Sequence, residues 1–301
     1  MTDLDSLLER FATRHSIHVE TLPELERQAV RCTLRCLDAL DADYAALSEA
    51  VLTSDKAVGV LWQLLSRCGE HVEAAITALA TASGASPELI ARAAVESAAT
   101  IRFILQDPEL RLSAYFRHYV DDVDKQVRHW RRAAASLAEP ERLVHEAACD
   151  QREEANRTMR AFVEQLEEDI LGSRAGSAWP GQVSERFKAI DDEVTYRTVY
   201  ARLCSETHFD AEETLRFMLG RLGGDDLMQR MSIETIMFTR LMVALAVSAF
   251  LKASSDYASR YGMGNVLREC GDGLAVMEPI AEFLSEHIGA RPDTGPSETH
   301  H

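Results

Sequence analysis

Seven residues able to do chemistry fall close together in the stretch YRTVYARLCSETHFDAEE (196–213): Tyr196, Arg197, Tyr200, Arg202, Ser205, Glu206 and His208. An imidazole with an ordinary pKa of about 6.5 can take or return a proton near neutrality. A guanidinium beside it can hold a phosphate and stabilise the charge that develops there. Tyrosine rings can stack on a base or a planar ligand. With no metal, Arg202 and His208 would thus suffice to cleave RNA through the ribose 2′-hydroxyl. Tyr196, Tyr200, Ser205 and Glu206 would then contact the substrate.

A helix through this stretch puts Tyr196, Tyr200 and Ser205 roughly on one side and pairs Arg202 with Glu206 one turn apart. His208 comes about 240° round from Arg202, so the two converge only if the helix breaks. Asp210 and Glu213 supply such a break, as an Asp-x-x-Glu start signal ahead of a new apolar run. His208 would then occupy a corner between two helices.

Two further helices carry candidate residues. PELIARAAVESAATIRFIL places Arg92 and Glu96 at i,i+4 among alanines that let a neighbouring helix approach closely. Either a structural ion pair or a ligand contact satisfies that spacing. From Arg111 to Arg132 six basic residues stand against three acids, so Arg128 and Arg132 could contact RNA phosphates. A solvated charged face is the competing explanation.

The elements that must position these residues are helical throughout. Apolar residues recur at steps of three and four over 3–14, from Pro23 to about Val51, over Asp55–Ala82, after Ser86-Pro87-Glu88, over 109–137 and from Pro140 to about Leu171. GSRAGSAWPG (172–181) reads as a loop. Asp226–Arg260 is the most apolar segment and should form a central helix, in which Arg240 needs an acidic neighbour or an exit to solvent. A last helix runs to about Ile288. The expected fold class is all-α, a multi-helix bundle with long antiparallel helices. The expected division is an N-terminal helical extension (1–84), a main bundle (85–289) and a disordered tail (290–301).

Composition narrows the function classes. Of 301 residues 46% are hydrophobic, which supports a sizeable core. A formal charge of −17 repels nucleic acid except at a local basic patch. The six cysteines are scattered on apolar helix faces and read as reduced core residues. The N-terminus lacks the pattern of a signal peptide, and the apolar run Leu241–Leu251 is too short to span a membrane, which points to a cytoplasmic protein without a membrane partner. Walker, GxGxxG, HExxH and GxSxG patterns are absent, so no cofactor is expected. His15 with His18, and His118 with Asp122, are weak metal pairs, and no metal is assigned.

The region ASPELIARAAVESAATIRFILQDPEL, followed later by YRTVYARLCSETH, resembles a bacterial helical family catalogued only as a numbered domain of unknown function. That family has an Arg-x-x-x-Glu helix, here Arg92 and Glu96. It also has a tyrosine- and serine-containing helix ending in histidine, here Tyr196, Tyr200, Ser205 and His208. The resemblance covers about residues 85–220 and implies no established activity. More loosely, Arg202 and His208, with five residues between, are similar to the motif of HEPN ribonucleases. That likeness implies a metal-independent endoribonuclease of toxin or defence type working as a homodimer. A non-catalytic helical protein that binds a partner or a small ligand is the alternative.

Overall fold

The computed structural model describes residues 3–81, 87–171, 176, 178–201 and 211–288, and every regular element among them is helical. The chain forms α1 (Asp3–His15), a 3-10 turn (Val19–Thr21), α2 (Glu24–Ala45), α3 (Glu49–Ser54), α4 (Ala57–Ala80) and α5 (Pro87–Leu105). There follow α6 (Pro108–Ala134), α7 (Glu139–Leu171), α8 (Val183–Ala189), the single turn α9 (Glu193–Thr195) and a π-helix (Tyr196–Tyr200). The last three elements are α10 (Ala211–Leu222), α11 (Asp225–Tyr261) and α12 (Gly264–His287).

Local chemistry sets most of the boundaries. The Asp107 side chain accepts from the Leu110 amide, and Pro108 opens α6, so α5 and α6 are separate helices. The long helix expected from Pro23 to Val51 ends instead at Ala45. Ser48 caps a new helix by accepting from the Val51 amide, which the apolar periodicity running through both elements hides. Gly262 takes a left-handed conformation, φ 70°, where α11 stops. At Gly69, a Cβ would lie 2.7 Å from Leu37 Cδ2, so a glycine there lets α4 close onto α2.

α11 runs through the middle of the bundle against α2, α4, α5 and α12. One buried cluster extends from Leu7 in α1 to Leu284 in α12, and Leu34, Leu65, Ile104, Phe250 and Tyr257 in it are at most 1% exposed. Helices from both sides of residue 85 therefore share a core. Arg240 finds its acid in Glu26 of α2, at 3.2 Å. α11 is also long and apolar enough to cross a membrane, and 61% of its most apolar window is buried within the bundle. Its first turns differ: Ile233 and Ile236 are half exposed.

α6 and α7 form an antiparallel hairpin that leaves the bundle next to α5. Arg117 pairs with Glu167, Arg131 with Asp150 and Glu153, and Arg160 with Asp121 and Asp124. Its own buried cluster is only Val123, Val127 and Cys149. Tyr119 and Trp130 of α6 are exposed, since no third helix among the described residues covers them.

Candidate functional site

Arg92, Glu96 and Thr100 recur every four residues along α5 and so share one face. Glu96 does not spend its carboxylate on Arg92. Its Oε1 takes Arg186 Nη2 of α8 at 3.0 Å, and its Oε2 accepts the Tyr200 hydroxyl at 2.7 Å. Arg186 Nη1 donates to Thr100 Oγ1 at 3.1 Å. Arg92 Nη2 reaches the Tyr200 oxygen at 3.4 Å, with its guanidinium carbon 5.3 Å from the ring centre. Two guanidiniums and one carboxylate thus converge around a phenol.

Aromatic packing holds this network in place. Tyr196 and Tyr200 stack with ring centres 5.6 Å apart, and Phe187 touches both. The expected regular helix is here a π-helix, whose wider turn carries both rings on Phe187 of α8. Arg186 sits 5.5 Å over Trp179, which in turn packs on Phe103 and Tyr115. Arg186 is 9% exposed, so its charge is held largely away from solvent.

Beside the network lies a cleft of about 440 Å³ lined by Leu64, Arg67 and His71 of α4, Glu96, Ser97 and Thr100 of α5, Tyr115 of α6, and Arg186. Two of the residues that line it also carry a buried nitrogen, Arg186 Nε and His71 Nδ1, with no hydrogen-bond partner among the described residues. Buried polar atoms are nearly always paired, so these two are exceptions in the helices that flank the cleft. The Glu96 carboxylate, by contrast, is already engaged on both oxygens.

Of the residues singled out from sequence, Arg92, Glu96 and Tyr200 are brought into contact, with Tyr196 stacked behind them. Arg202, Ser205, Glu206 and His208 lie outside the described residues. Arg128 and Arg132 are exposed on α6, about 20 and 25 Å along the helix from Tyr115 at the cleft. Among the described residues neither forms an ion pair. His15 engages Glu73 at 3.2 Å beside Arg14. Arg186 and His71 were not anticipated. Arg186 follows Glu96 by 90 residues, and no local spacing links it to α5.

Residues 58–225 match the model of a Family of unknown function (DUF5677). Searches of curated proteins and of solved structures give no match. The matched span exceeds half of the chain, runs from α4 to the first residue of α11 and contains every residue that lines the cleft. The chain therefore belongs to DUF5677, a family of unknown function.

Proposed function

We propose that this protein binds a small anionic ligand in the cleft between α4, α5 and α8. The observation that carries this is the cleft itself, which gathers Arg186 of α8 with Arg67 and His71 of α4 and the hydroxyl residues Ser97 and Thr100 of α5. Its volume suits a small metabolite, since ligand sites commonly run from about 300 to 1,000 Å³. Of the charged groups lining it, Arg186 is paired with Glu96 and Arg67 with Glu70, so an anion would meet guanidinium donors already positioned in the wall. Ser97 and Thr100 offer hydroxyls for orientation. The Glu96–Tyr200–Arg186 network serves as a rigid wall, its carboxylate being neutralised rather than poised as a base.

Inorganic phosphate, succinate and a nucleoside monophosphate are suitable probes. The reading expects at least one to raise the melting temperature, by an amount that grows with the logarithm of its concentration. His71→Ala should abolish that shift without lowering the basal melting temperature. No shift with any of the anions, or an equal shift in His71→Ala, would overturn it.

A second reading, metal-independent RNA cleavage by Arg202 and His208, has one supporting observation. Tyr200, two residues before Arg202, is tied to Glu96 and Arg92 at the edge of the cleft. RNA cut in excess EDTA to cyclic phosphate ends by the wild type, and not by His208→Ala, would favour it. Cutting that survives His208→Ala would remove it.

A further inference from the structure

The α6–α7 hairpin carries a second apolar seam that none of the described residues covers. On α7, Val144, Ala148, Ala155, Met159, Phe162 and Leu166 follow one another at steps of four, seven, four, three and four. That is the heptad spacing of a coiled-coil stripe, with only the step at Arg152 polar. The face of α7 that meets α6 is a different one, marked by Cys149, Asn156 and Val163. At 100° per residue the free stripe is turned about 90° from it.

α6 repeats the arrangement. Tyr119 and Trp130 lie about 80° from the Val120–Val127 line that faces α7. Because the helices are antiparallel, both rotations lead to the same side of the hairpin. Val144 is 68% exposed, Phe162 67%, Tyr119 47%, Met159 45% and Trp130 39%. One face of the arm is therefore apolar and open. Lys125, Arg128, Glu164 and Glu168 fall on the opposite face.

We infer that this face is where a second copy of the chain docks, its α7 antiparallel to the first about a two-fold axis at Ala155. The stripe is self-complementary about that residue. In this register Phe162 falls on Ala148 of the other copy, Leu166 on Val144, and Ala155 on Ala155. Phe162, the largest of them, thus meets the small Ala148, Met159 falls on Gln151, and the small residue at the axis lets the helices close. Covering the five exposed side chains on both copies would remove roughly 1,000 Å² from water, the area a specific interface must clear. A chain of net charge −17 repels its own copy over most of its surface. This face, whose stripe holds Arg152 as its only charged member, is a place where two copies can meet without that cost.

The test is sedimentation equilibrium of the full chain with its helicity checked by circular dichroism. Wild type should associate as a dimer at micromolar concentration. Phe162→Glu, at an exposed position, should keep its helicity and lose at least tenfold in association. A monomeric wild type at 100-fold higher concentration would overturn the inference, as would a Phe162→Glu protein that dimerises normally. The register has its own check. Ala148→Phe and Phe162→Ala should each weaken the dimer, and the two together should restore it. A double variant no tighter than the single ones would overturn the two-fold axis at Ala155.

Discussion

The Tyr200 hydroxyl donates to Glu96 Oε2 at 2.7 Å across 104 residues of chain. That bond closes the π-helix onto α5, and the Glu96 carboxylate carries it to Arg186 on α8. Tyr200→Phe removes only the hydroxyl and leaves Glu96 with Arg186. Because a bond to a charged group contributes about 1.5–3 kcal/mol, the unfolding free energy read from urea denaturation should fall by an amount within that range. The Tyr196–Tyr200 stacking should survive, leaving near-ultraviolet dichroism largely unchanged.

Arg186→Met should cost more. It strips a buried guanidinium from Glu96 and leaves the carboxylate with the tyrosine hydroxyl as its remaining described donor. Breaking a buried pair from one side costs about 3–5 kcal/mol, and the partial exposure of Glu96 moves the expectation to about 2–3 kcal/mol. Adding Glu96→Gln should recover part of the loss. Chemical denaturation of the single and double variants measures the coupling.

Alkaline pH should destabilise the fold. Burial raises the Cys32 thiol from 9.0 to about 11 and the Cys68 thiol from 9.0 to about 12. Burial also raises the phenols of Tyr257 and Tyr261 above their usual 10.0. For each, the folded state holds its proton where the unfolded chain has released it. Stability is thus complete below about pH 9 and declines as pH rises from there through the folded-state values. Urea midpoints at pH 8 and pH 10.5 should differ in that direction. The same burial makes Cys32 and Cys68 slow to react with a thiol reagent until the protein is unfolded.

Gly262→Ala should destabilise by about 1 kcal/mol, since its φ of 70° is a conformation that a Cβ disfavours. No atom lies within 4 Å of the added Cβ, so the whole cost is in the backbone. Thermal melting read against the wild type checks it. A fall of several kcal/mol would mean that the α11–α12 corner carries more than a turn.

The periodicity of apolar residues was enough to determine that this chain is all-α, because a helix writes its buried face into the sequence at steps of three and four. Proline, serine and aspartate at the helix starts placed α5, α6 and α7 within a few residues. Arg240 was legible as needing an acid, since a charge inside an apolar helix must be neutralised. The identity of that acid, Glu26, was not legible, and the break at Ala45 was masked by a periodicity that continues across it. At the cleft, Arg92 and Glu96 stood out by their spacing, while Arg186 and His71 did not. The tertiary structure decided that Glu96 binds Arg186 and Tyr200. Pairing over 90 residues depends on which helices pack together, and that is set by the whole core rather than by any local pattern.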